Sequence, residues 1–153
     1  MATLVCFDSP LQTIAEDPVL LLSDPQLTPA LDYLRSVPTV WDETRVLPQS
    51  EIGKLVVMAR RSGQDWYIAI LNGENQEKTV PLDLKPYLTG GASTLGYVDD
   101  LQAEKVLISM QHQRPGVKKR EPSVPFKKEI RQSCLRQIQL APNGGAVIMI
   151  RRP

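Results

Sequence analysis

At 153 residues the chain is the size of one domain, with an apolar share of 42% that can fill a core; aromatics are only 5%, so that core must come mainly from Leu, Ile and Val. Eighteen basic residues against seventeen acidic leave a net charge of +1. That balance gives no electrostatic ground for a nucleic acid or an acidic membrane surface as partner.

The opening, MATLVCFDSPLQ, has no basic leader, and Asp8 interrupts its apolar run. It reads as neither a signal peptide nor a spanning helix, which needs about 20 apolar residues. Apolar side chains at positions 4, 5, 7, 11, 14 and 15 come close to a helical stripe, with Pro10 as a kink or a new start after Ser9. LTPALDYLRSVP predicts a clearer helix: Thr28 as N-cap, Pro29 at the first position, Leu31, Leu34 and Val37 on one face, Pro38 as the stop. These helices are apolar on one side and have no evident partner of their own.

From Thr39 the period becomes alternating. TVWDETRVL, IGKLVVMARR and WYIAILNG read as strands, the last two joined by the turn SGQD into a hairpin over Lys54 to Leu71. EKTVPLDL follows, its Pro81 marking an edge or a bulge. ASTLGYVDD and EKVLISMQ are further strands, and FKKEIRQ is a weaker one. CLRQIQLA and GAVIMIRR, linked by Pro142-Asn143-Gly144-Gly145, are expected to close the chain as a hairpin. The fold class expected is mainly β: an antiparallel β-sandwich of about 7–9 strands preceded by a short helical segment. The basic, proline-rich stretch HQRPGVKKREPSVPFKK reads as a solvated loop that keeps strand edges from pairing with other molecules.

Chemistry is sparse. Cys6, Cys134 and His112 are too few and too scattered for a zinc site; the two thiols read as small buried residues, with a disulfide as the alternative. Asp42 and Glu43 are the acid-base candidates. Glycosidic cleavage needs two carboxyl groups facing each other, about 5–5.5 Å apart for retention or 6.5–9.5 Å for inversion. Neighbours on a regular strand point to opposite faces. The expectation is therefore that one pairs with Arg45, Arg60 or Arg61 and the other faces water. No nucleophile elbow and no phosphate loop is present, and VDDLQAE (Asp99, Asp100, Glu104) lacks the glycine and spacing of a calcium loop. Trp41, Trp66 and Tyr67 are candidates for stacking on sugar rings. On the strand, however, Trp66, Ile68 and Ile70 share one face and Tyr67, Ala69 and Leu71 the other. With both faces apolar the strand reads as central, and Trp66 as core.

The strings SVPTVWDETRVL, IGKLVVMARRSGQDWYIAIL and TVPLDL, with the closing LAPNGGAVIMI, resemble the C-terminal domain of glycoside hydrolase family 97. FDSPLQTIAEDP and ALDYLRSVPT resemble the last helical part of that family's catalytic barrel. The likeness is strongest over residues 35–84 and 138–150; about residues 96–134 depart from it. It implies two parts: residues 1–36, a helical segment from the end of a (β/α)8 barrel, and residues 37–153, a C-terminal antiparallel β-sandwich. Family members hydrolyse α-glucosides or α-galactosides with carboxylates and calcium ligands on domains upstream of anything matched here. The resemblance thus implies no catalytic residue, no metal and no cofactor in this chain, calcium belonging to the parent's other domains. The implied partner is the catalytic barrel, the implied origin a bacterial periplasmic parent, and the implied reading of Met1 an internal start or gene fragment.

Three functions follow: an accessory sandwich bracing the barrel, a free-standing carbohydrate-binding module that takes oligosaccharide on Trp41, Trp66 and Tyr67, and a small self-sufficient hydrolase. The first is the reading favoured, because no constellation of residues here looks able to catalyse alone.

Overall fold

The computed structural model describes residues 1–14, 17–23, 28–88, 94–99 and 135–151. Their fold is mainly β, in antiparallel sheets with a few short helices. The elements in chain order are α1 (Thr3–Cys6), α2 (Pro18–Ser23), α3 (Thr28–Ser36), β1 (Glu43–Val46), β2 (Leu55–Ser62), β3 (Asp65–Asn72), β4 (Lys78–Asp83), a 3-10 turn (Lys85–Tyr87), β5 (Thr94–Asp99), β6 (Leu135–Leu140) and β7 (Gly145–Arg151). One sheet has the order β1-β2-β3-β7-β5, and β4 and β6 form a second. The predicted strands EKVLISMQ and FKKEIRQ, the basic loop, His112 and Cys134 lie outside the described residues, as do Asp100 and Glu104.

The β2–β3 hairpin forms as its sequence predicts, in register from Leu55 opposite Asn72 to Ser62 opposite Asp65. Gly63 sits in the turn at φ +59°, a conformation that glycine reaches without steric cost. Strand β3 is central and apolar on both faces, which gives the large sheet two separate cores. On one face, Val57, Ala59, Trp66, Ile68, Ile70, Ala146, Ile148 and Ile150 meet Val80, Leu82, Ile138 and Leu140 from the small sheet, with Leu84 and Tyr87 from the turn that follows β4. On the other, Tyr67, Ala69, Val147 and Met149 are covered by Ala2, Val5, Cys6 and Tyr33.

The helical stretch therefore has a partner, the second face of the sheet. Its details differ from the predicted stripe. Helix α1 ends at Phe7, whose backbone is extended (ψ 138°). Residues before a proline are driven out of the helical region, so Ser9-Pro10 cannot carry the helix on. Phe7, Leu11 and Ile14 are exposed as a result. Among the described side chains of α3 the fully buried one is Tyr33, absent from the predicted face; Leu34, and Val37 just after the helix, pack beside it only in part. The Tyr33 hydroxyl donates to the Met1 carbonyl at 2.9 Å, tying α3 to the start of the chain.

The expected closing hairpin does not form. Strand β6 pairs with β4, whereas β7 lies between β3 and β5, so Pro142–Gly144 carries the chain from one sheet to the other. The residue patterns explain this. In β6, Ile138 and Leu140 are buried while Leu135, Gln137 and Gln139 are exposed, as suits a strand covered on one face. In β7 every residue from Gly145 to Ile150 is buried, which demands a strand covered on both faces. The corner is tight: Asn143 has φ +53°, and a side chain at Gly144 would meet the Ala141 Cβ at 3.0 Å. Among the described residues no helix is long and apolar enough to cross a membrane.

Candidate functional site

The candidate residues gather around β1 and the adjoining end of the β2–β3 hairpin, on two sides of the sheet. On the side facing the small sheet, Glu43 and Arg45 lie two residues apart on β1, and Arg61 lies opposite Glu43 on β2. Arg45 Nε donates to Glu43 Oε1 at 2.6 Å, and Arg61 Nε donates to Oε2 at 3.1 Å. Both guanidinium groups also lie against the Trp66 ring, Arg45 at 4.8 Å and Arg61 at 6.0 Å from its centre. Trp66 in turn meets Tyr87 edge-on, with ring centres 4.9 Å apart.

Asp42 departs from the expectation that neighbouring carboxylates part company. It lies one residue before β1 begins, so strict alternation does not govern it. Its Oδ2 accepts a hydrogen bond from the Gly63 amide at 2.7 Å and stands 3.6 Å from Arg61 Nη1, which itself donates to the Gly63 carbonyl at 2.8 Å. Asp42 and Arg61 together clamp the hairpin turn. Both carboxylates thus lean on Arg61, neither being left to water alone, and Arg60 pairs with neither.

Hydrogen bonds from Arg45, then Arg61, hold the Glu43 carboxyl below its usual 4.5. A group in this state is a poor proton donor at neutral pH. A lowered folded-state value means that the ionised form stabilises the fold above the usual carboxylate range, and that this contribution is lost as pH falls through the lowered value. Below about pH 4.5 the melting temperature of Glu43→Gln should accordingly fall less steeply with acid than that of the parent chain. Parallel acid limbs in a pH series of thermal melts would refute this.

The three aromatic candidates do not share a surface. Trp66 (5% exposed) faces the small sheet, whereas Tyr67 (3%) lies on the helix-covered face. The Tyr67 hydroxyl donates to the Ser36 carbonyl at 2.8 Å, and burial pushes the phenol above its ordinary value. Trp41 is half-buried, edge-on to Tyr67 at 5.3 Å between ring centres. Sugar stacking needs an open ring face; Trp66 and Tyr67 are buried, and the Arg60 guanidinium lies over the half-buried Trp41 ring.

Two polar residues matter more than their sequence context signals. Asn72 is 3% exposed; its Nδ2 donates to the Gln76 carbonyl at 2.7 Å and to the Ala141 carbonyl at 2.9 Å, while its Oδ1 accepts from the Glu74 amide at 3.1 Å. It joins the end of β3 to the corner before β7. Arg60 is 5% exposed on the helix-covered face, its guanidinium 5.6 Å from the centre of the Trp41 ring. An Asn closing a strand and an Arg in the pair Arg60-Arg61 both look like surface residues in sequence, and no periodic pattern marks either as buried.

Residues 40–151 match the protein family described as "Glycosyl-hydrolase 97 C-terminal, oligomerisation". The retaining alpha-galactosidase of Bacteroides thetaiotaomicron is 35% identical over 68 residues, which are 44% of this chain and 10% of that protein. Among solved structures, a beta-arabinopyranosidase covers 97% of this chain with 20% of its own, at a TM-score of 0.63 and 29% identity. A family 97 glycoside hydrolase from Pseudoalteromonas sp. strain K8 covers 98% of this chain with 22% of its own, at a TM-score of 0.69 and 23% identity, a likeness of fold alone. This chain thus spans 10–22% of the length of these relatives. The family match takes in the β1 carboxylates, the β2–β3 hairpin, the corner at Gly144 and β7. By that match the chain belongs to the glycosyl-hydrolase 97 C-terminal domain family.

Proposed function

We propose that this chain is the non-catalytic C-terminal part of a glycosidase, in which residues 1–36 join a catalytic barrel and residues 37–153, an antiparallel sandwich of seven to nine strands, brace it. One observation carries the reading. Phe7, Leu11, Ile14, Val19 and Leu22 are 66%, 78%, 48%, 73% and 64% exposed, five large apolar side chains within the first 23 residues. Such density at a surface favours a protein contact over water. The solved relatives align with 97–98% of this chain, so their likeness takes in this helical stretch as well as the family domain.

Chemistry supports the same division of labour. Asp42 and Glu43 are held by arginines and by a turn amide, an arrangement that fixes structure rather than releases protons. The names of two relatives, a retaining alpha-galactosidase and a beta-arabinopyranosidase, differ in the glycoside while this domain is common to both. On this reading the choice of glycoside, and any calcium, belongs to the barrel. The test is the size of the native product in source-cell extract, read with an antibody against this chain, beside an assay of the isolated chain on nitrophenyl α-galactoside. A band several times larger than 17.1 kDa and no turnover are expected. A native band at 17.1 kDa, or turnover abolished by Glu43→Gln, would overturn the proposal.

A further inference from the structure

Arg60 carries a charge in a place that does not suit one. Its Nε and Nη1 are buried and have no hydrogen-bond acceptor among the described residues. Removing a guanidinium from water is costly unless an acceptor replaces the lost hydration, and the face of the Trp41 ring replaces only part of it. Among the described residues the opposite charge at hand is Asp8, whose Oδ1 stands 3.7 Å from Arg60 Nη1. That is within ion-pair range and beyond hydrogen-bond length. Asp8 is itself 89% exposed, so its carboxylate has room to turn.

The position of the pair gives it consequence. Asp8 follows the end of α1, which is seated on β2 and β3 through Ala2, Val5 and Cys6. Arg60 projects from β2 on that same face, opposite Tyr67 in register. Three separate stretches of chain, around Asp8, Trp41 and Arg60, therefore meet at one guanidinium.

We propose that Asp8 and Arg60 form a latch: the carboxylate closes onto the buried guanidinium and holds the stretch after α1 against the sheet, keeping α1 seated over its core. The latch stands without the accessory-domain reading. Combined with that reading, it fixes the angle at which the helical junction leaves the sandwich.

Cys6, the last residue of α1 and buried against the sheet, reports on the seat directly. In a Cys134→Ser background it is the one remaining cysteine of the chain, and its rate of modification by a disulfide reagent measures local opening. Asp8→Asn should raise that rate about two- to fivefold with little change in the global unfolding midpoint. In an Arg60→Met background the same Asp8→Asn change should do nothing more. Should Arg60→Met fail to fold, Arg60→Lys serves as the second background, in which the effect should shrink. An unchanged Cys6 rate in Asp8→Asn overturns the latch, and so does the same acceleration whether or not Arg60 is present.

Discussion

Replacing Trp66 by alanine should cost about 3–5 kcal/mol of folding stability, the usual range for deleting a buried aromatic side chain. The cost has three sources. The indole is 5% exposed in the core between the two sheets, with Ile150 opposite it on β7 and Ile68 two residues on along the same face, so its removal leaves a cavity rather than a dent in the surface. The edge of Tyr87 loses its ring partner at 4.9 Å. Arg45 loses the ring face on which its guanidinium rests, and the Glu43 carboxylate then holds an arginine with nothing behind it. Trp66→Phe, which keeps a ring at the Tyr87 contact, should recover about half of the loss. Urea denaturation followed by circular dichroism decides the matter. A Trp66→Ala chain that unfolds at the parent's midpoint would mean that the indole is not a core residue, and the carbohydrate-stacking reading would gain.

The second large effect is expected at Asn72. Its side chain satisfies two carbonyls and one amide at the meeting of the β3–β4 turn and the corner that leads into β7. Asn72→Leu fills the space but takes a donor from the Gln76 carbonyl and from the Ala141 carbonyl, which keeps only the Gly144 amide at 3.0 Å, and leaves the Glu74 amide without its acceptor. A cost of about 2–3 kcal/mol follows from the usual penalty for unsatisfied buried polar groups. Asn72→Asp is the sharper control. It keeps an acceptor for Glu74 but turns the donor toward two carbonyl oxygens into a second acceptor carrying charge. It should be at least as damaging as the leucine, despite its nearly identical shape. If the aspartate variant matched the parent in urea, the hydrogen-bond assignment at this corner would be wrong.

Local pattern made part of this fold legible. Ile68 and Ile70 on one side of β3 and Ala69 and Tyr67 on the other announce a strand covered twice, and Ser-Gly-Gln-Asp announces the turn before it. What the pattern does not encode is which sheet a strand joins. The segments on either side of Pro142–Gly144 look like two arms of one hairpin, because turn chemistry reports that the chain reverses and not where it goes next. The alternation in β6 against the unbroken burial in β7 held that information, but only once the small sheet was known to exist. The helices were legible in part: LTPALDYLRSVP forms α3 (Thr28–Ser36), whereas the stripe before it does not run on past α1. A stripe at positions 4, 5, 7, 11, 14 and 15 comes close to helical spacing, yet the proline at position 10 outweighs periodicity, and a phenolic side chain such as that of Tyr33 scores poorly as core although its hydroxyl reaches the Met1 carbonyl. At the site, the link between Glu43 and nearby arginines was readable from proximity. The burial of Arg60 was not, since it depends on a helix arriving from more than fifty residues upstream.

The place of β7 has a consequence for how the domain comes into being. Residues 145–151 stand in the middle of the large sheet and contribute to both of its cores, through Ile148 and Ile150 on one face and Val147 and Met149 on the other. During synthesis the strands emerge in chain order, so β3 waits with one edge unpaired until β7 has left the ribosome, its helix-covered face lacking Val147 and Met149 and its other face lacking Ile148 and Ile150. The β2–β3 hairpin can form early from local contacts, but neither core can close before then. For that interval the nascent domain presents an apolar strand to every chain nearby, and its yield in the cell should depend on chaperone supply more than the stability of the finished fold would indicate.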